Sequence, residues 1–217
     1  MHITVEKKVV NVYPDLKIFS FIIEDYTPES ILYSNEIDLN LPEHISNIPI
    51  IKQWREIYRN MGLKPTKYYS SIEALLKRYK KGNWQTGNQF IDLYNSFSIQ
   101  YMTPMGAYNL ENLENLTFRF ARIDDSYNPL HSNLNFEINN SLIVYAQSNK
   151  VACWAINHRD SEDFCVNNQT SKILIVAEGI TSEQSILAEE AINNFHNFCK
   201  SKKYRVSNIF THTLSED

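Results

Sequence analysis

His158, Arg159 and Asp160 follow one another in the second half of a 217-residue chain. An imidazole has an ordinary pKa of about 6.5, suited to moving a proton near neutral pH. A carboxylate two residues further on could hold an amino group or a hydroxyl. The plainer reading is an exposed loop whose Arg159–Asp160 ion pair is worth under about 1 kcal/mol. Upstream, Asn95 stands near the end of a helical stretch, and Pro104-Met105-Gly106-Ala107-Tyr108 reads as a turn of small and polar residues. Asn95 serves either a pocket or a loop hydrogen bond. Gly106 answers either a left-handed backbone or the close approach of a ligand. We read this turn as one wall of a ligand pocket, with the 157–162 segment facing it.

Several chemistries are excluded by what the chain lacks. Its five glycines are not clustered, so there is no phosphate-cradling loop. No His-Glu-x-x-His or Gly-x-Ser-x-Gly pattern occurs, and the six histidines are scattered. Cys153, Cys165 and Cys199 are odd in number and lack Cys-x-x-Cys spacing, which argues against a disulfide framework or a metal site. No metal or cofactor is expected. The net charge of −4 is unlike that of a dedicated nucleic-acid binder, so any RNA contact must come from a local patch. The densest basic run is Lys77-Arg78-Tyr79-Lys80-Lys81. It reads either as a solvated helix end favoured by the macrodipole or as a phosphate contact. No apolar run approaches the roughly 18 residues of a membrane span, and Met1–Val10 lacks the marks of a signal peptide. A cytoplasmic protein is the expectation.

The elements that must position these residues follow from periodicity. Ile3–Val12 and Lys17–Glu24 read as strands around a Tyr13-Pro14-Asp15 turn. Residues 25–49 read as a connector with room for a short helix near Glu29–Tyr33. Ile51, Trp54, Ile57, Tyr58 and Met61 share one helical face ahead of Gly62. Ser70 and Glu73 have capping-box spacing before a second helix that ends at Gly82. A third runs from about Asn88 and stops before Pro104. Leu116–Ala121, Leu142–Ala146, Val151–Ile156 and Ile173–Ala177 suit strands. Thr181 and Gln184 cap a last helix through about Lys200, and Tyr204–Phe210 is a final strand. With 43% hydrophobic residues, the chain supports one α+β domain over 1–217, with mixed or antiparallel sheets and packed helices.

Ordered blocks then suggest a relationship. Met61-Gly62-Leu63-Lys64-Pro65, Ser71-Ile72-Glu73-Ala74-Leu75 and Ile91-Asp92-Leu93-Tyr94-Asn95 are followed by Pro104–Tyr108, Arg159-Asp160-Ser161 and Thr170–Ile175. Together they resemble the B3/B4 domain, the tRNA-editing domain of the phenylalanyl-tRNA synthetase beta subunit, and still more its free-standing relatives. The resemblance spans about residues 50–180. It implies that domain's fold and a hydrolase that deacylates mischarged aminoacyl-tRNA in trans, by water attack on the ester. It implies Asp160, His158 and Asn95 as catalytic. Tyr94, Met105, Gly106, Ala107, Asn157, Arg159 and Glu178 would bind substrate. Aminoacyl-tRNA is the implied partner, its amino-acid moiety the ligand, with Lys77, Arg78, Lys80 and Lys81 as a weak RNA patch. The synthetase's pocket histidine falls on Gly106. Its pocket acid falls on Asp160, or on Glu162 if the register shifts by two. Both departures point away from tyrosine specificity. A non-catalytic module for an amino acid or small metabolite is the alternative.

Overall fold

A computed structural model describes residues 3–27 and 37–213. The helix expected near Glu29–Tyr33 lies outside the described residues. The architecture is α+β, with two five-stranded sheets. In the first sheet, β1 (Ile3–Val5) runs parallel to β4 (Leu116–Phe120), and antiparallel pairing continues through β5 (Ile143–Gln147), β6 (Lys150–Trp154) and β7 (Arg159–Asp160). The second follows the order β10 (Phe210–His212), β2 (Lys17–Glu24), β8 (Ile173–Gly179), β3 (Met105–Asn109), with β9 (Arg205–Val206) on β2.

Strand β8 explains the second sheet. All seven of its residues are buried, because it is paired on both edges and covered on both faces. A continuous apolar run is what such a position demands. Side-chain alternation then separates two layers. Leu174 and Val176, with Ile18, Ile22 and Tyr108, enter the layer shared with the first sheet. Helices α1 (Lys7–Val12), α2 (Pro49–Asn60) and α3 (Ser71–Lys80) also pack there, through residues such as Val9, Trp54 and Leu76. Ile173, Ile175 and Ala177 face the opposite layer, with Phe19, Phe21, Met105 and Ala107. That layer is closed by α4 (Gln89–Tyr101) and α5 (Ser182–Ser201), through Phe90, Leu93, Phe97, Ala188 and Phe195.

Three sequence expectations are corrected. Residues 7–12 form a helix rather than a strand: pairing with β4 ends where Glu6 N donates to Phe118 O, and a single turn then buries Val9 alone. The 104–108 segment is not a turn. The chain reverses earlier, at Met102 with φ 49°, and Met105–Asn109 pair with β8 along their whole length. Gly106 is outside the left-handed region. Tyr204–Phe210 is interrupted, giving β9 and β10 rather than one strand. The helices otherwise match expectation. Ser70 Oγ accepts from Glu73 N. The Glu73 side chain, however, leaves the capping box and bonds Arg55 and Lys77. No described helix is long and apolar enough to cross a membrane.

Candidate functional site

Where the two sheets face each other, an acid lies in the apolar layer. Glu178 occupies the even-numbered face of β8 opposite Ile18 and is 3% exposed. Both its oxygens are taken. Tyr145 on β5 donates to Oε2 at 3.1 Å, and Asn157 Nδ2 donates to Oε1 at 2.8 Å. The Asn157 amide has no freedom to flip. Its Oδ1 accepts from Tyr58 Oη on α2 at 3.1 Å and from Ser71 N, at the start of α3, at 3.3 Å. Tyr58 Oη also lies 2.8 Å from Ala155 O. Asn157 is aimed inward by an unusual turn after β6, in which Ala155 and Ile156 take φ of 51° and 65°. Left-handed backbone at a β-branched residue is unfavourable and persists only where the surroundings enforce it.

Asp160 joins this cluster from β7, where it pairs across the ladder with Cys153 of β6. Burial pushes its carboxyl up to about 6, against the opposing pull of the Cys153 thiol and the Arg159 charge. Glu178 is pushed up to about 7, chiefly by burial. Asn157 and Tyr145 oppose the rise, and the Asp160 charge adds to it. The hydroxyls of Tyr94 on α4 and Tyr108 on β3 are raised, first by burial. The Asp160 charge reaches both, and the Glu178 charge reaches Tyr108. Asp160 and Tyr94 nevertheless keep accessible surface. The cluster is thus mostly enclosed, with Asp160 and Tyr94 at its solvent edge. Gly106 is on the same side. A Cβ there would meet nothing closer than Tyr108 Oη at 4.0 Å.

The expected residues divide accordingly. Asn157 and Glu178 are hydrogen-bonded to each other, the Asp160 charge acts on Glu178, Tyr94 and Tyr108, and Gly106 shares the β3 face of Tyr108, while the Tyr94 ring packs on the α4–α5 layer. Asn95 is nine-tenths buried. One turn further along α4 is Ile99, which packs in the inter-sheet layer, so Asn95 faces that side. Met105 and Ala107 stand apart from the cluster. As alternate residues of a strand, they point into the α4–α5 layer. His158 is held elsewhere: its Nδ1 lies 2.8 Å from Tyr69 O, and its ring is packed by Tyr68, Trp154 and Phe136. Burial lowers its pKa. Arg159 does not pair with Asp160 but donates to Leu130 O at 2.9 Å and lies over the Phe136 ring. Glu162 is exposed, and its Oε1 accepts from His131 N. Tyr58, Tyr145 and Cys153 were not foreseen in the site. Each sits in an apolar pattern that reads as core, and nothing in that pattern marks the hydroxyl or thiol as functional.

The B3/4 domain family matches residues 53–206, a span that holds every residue of this cluster. The chain belongs to the B3/4 domain family. Among solved structures, it is similar to an N-terminal fragment of the phenylalanyl-tRNA synthetase beta-subunit from Pyrococcus horikoshii. The identity is 11% and the TM-score 0.47, covering 99% of this chain and 51% of that one. The chain thus spans about half the length of that fragment. No curated protein matches it by sequence. Within the family-matched span, Asp160 and Glu178 are the described carboxyls that burial raises towards neutrality.

Proposed function

We propose that this B3/4 domain is a hydrolase that deacylates mischarged aminoacyl-tRNA, acting in trans. The observation that carries the reading is the buried Glu178 carboxyl, held by Tyr145 and Asn157, with the half-buried Asp160 on β7 acting on it by charge. Such a pair, with values near 6 and 7, exchanges a proton readily at neutral pH. Water attacks the ester carbonyl carbon and a C–O bond forms. The bond from that carbon to the ribose oxygen breaks. The acid pair takes the proton that water loses and returns it to the departing ribose oxygen. An ester is already activated, so placement and hydrogen bonding supply most of the remaining acceleration. The Asn95 amide on α4 serves as a donor for the carbonyl oxygen as charge builds on it. His158 has no step in this scheme, because its ring is committed to aromatic packing.

A panel of mischarged tRNAs tests the proposal. Hydrolysis above background is expected for at least one, falling roughly 100-fold or more in Asp160→Ala, the typical worth of a positioned acid–base group. No turnover with any member removes the reading. The second reading, a non-catalytic amino-acid module, is favoured by the withdrawal of His158 from the cluster. It predicts a raised melting temperature with free amino acids and no ester hydrolysis.

A further inference from the structure

We propose that the groove between α2, α4 and α5 is a second binding site, for a linear aliphatic diamine that carries an ammonium group at each end of an apolar stem. This goes beyond the hydrolase reading and does not depend on it, because neither Asp160 nor Glu178 lines the groove.

The groove has a volume of about 530 Å³, within the range of small-molecule sites. Its floor is apolar. Ile48 and Ile50, at the start of α2, are buried. Met102, at the end of α4, and Leu187 of α5 pack half-buried against the same core. Its charge has one sign: Glu183 and Glu190 line it, and no described lysine, arginine or histidine does. The helix ends leave that sign unchanged. α4 stops here without a basic residue in its last turn, and α2 starts here without an acidic one in its first, so the two end charges oppose each other. A ligand that gains from such a lining joins positive charge to an apolar body.

The placing of the acids sets the length of the ligand. Glu183, Leu187 and Glu190 stand at i, i+4 and i+7, on one face of α5. Leu187 therefore lies between the two carboxylates along the helix. Seven residues rise about 10 Å, the span of an extended chain of about seven methylenes. An ammonium at each end of such a chain meets a carboxylate while the stem covers Leu187. Glu183 is positioned in advance. Gln53 Nε2 on α2 donates to its Oε2, and Thr181 Oγ1 orients that amide by donating to Gln53 Oε1 at 2.8 Å. A carboxylate already fixed loses little freedom on binding. Glu183 also favours the positive end of α5, but Glu190, two turns further on, does not share that role.

Calorimetry on the whole chain tests this with the straight-chain diamines from propane to decane. Heptylamine and heptanedioate serve as the single-ended and the anionic control. The heptane diamine is expected to bind, with affinity peaking at that length or the next. Heptylamine should bind about fivefold more weakly, the worth of one exposed ion pair, and heptanedioate not at all. Glu183→Gln and Glu190→Gln should each weaken the heptane diamine about fivefold. The second of these carries the test, because the first also disturbs the start of α5. Asp160→Ala should leave diamine binding as it is. No binding by any diamine, equal affinity at every length, or unchanged affinity in Glu190→Gln would overturn the proposal. So would loss of binding in Asp160→Ala, which would seat the ligand in the other cluster. None of these outcomes touches the hydrolase reading, which stands or falls on the mischarged tRNAs.

Discussion

Glu178 costs the folded state stability at neutral pH, and the cost has a direction that can be measured. Its carboxyl is pushed from 4.5 to about 7 by burial, so the folded chain holds this proton more tightly than the unfolded chain. Its contribution is therefore fully present below about pH 4.5 and is lost as pH rises through 7. Asp160 acts in the same sense, between 3.8 and about 6. A rise of Glu178's size is worth about 3 kcal/mol. Glu178→Gln keeps the shape and removes the titration. Its melting temperature should exceed that of the native chain at pH 8 and converge with it at pH 5. Parallel profiles for the two proteins would show that Glu178 is ionised at an ordinary pKa in the folded state. A residue that destabilises its own fold is retained where it has other work, consistent with the role proposed for the pair.

At the level of elements, the junction between β8 and α5 fixes where Glu178 points. Gly179 ends β8 against the first turn of α5. A Cβ at 179 would lie 2.2 Å from Ser185 N and 2.3 Å from Gln184 C, both backbone atoms of a helix that cannot yield. That turn is locked by a full capping box, in which Thr181 Oγ1 accepts from Gln184 N while Gln184 Oε1 accepts from Thr181 N. Gly179→Ala should therefore cost roughly 3 kcal/mol or more, as overpacking against rigid backbone does. The measurement is denaturant unfolding, and a loss under about 1 kcal/mol would mean that the junction opens easily. The capping box was legible in the sequence, as were the helices α2 to α5 and most strands, because their signals are local. The Gly179 contact was not, since it depends on how close a helix lies to a strand. Met105 and Ala107 show the same limit in the site. Their apolar types fit a pocket wall, and only pairing of β3 with β8 decides that they face α4 and α5 while Gly106 and Tyr108 face the layer between the sheets. The Tyr58–Asn157–Glu178 chain joins residues far apart in sequence, through a backbone turn that no residue type announces.

On the scale of the whole molecule, a net charge of −4 must be reconciled with the polyanionic partner that the proposed function requires. The basic run on α3 supplies less than its composition suggests. Lys77 Nζ is 2.7 Å from Glu73 and lies over the Tyr69 ring. Lys80 Nζ donates to Pro42 O and Glu43 O, strapping the described part of the connector to the helix. Arg78 and Lys81 remain, exposed and without ion pairs among the described residues. Arg78 lies close enough to the cluster for its charge to lower the Tyr94 hydroxyl. Two cations displace about two counterions, so the affinity for aminoacyl-tRNA should fall with salt with a log–log slope of about −1.4 to −1.8. Removing both, by Arg78→Ala with Lys81→Ala, should flatten that slope and leave the binding of a small amino-acid amide unchanged. Lys80→Ala should instead lower thermal stability with little change in slope. A native slope near −5 would require about six or seven phosphate contacts, and the molecule would then hold tRNA through a surface other than the end of α3.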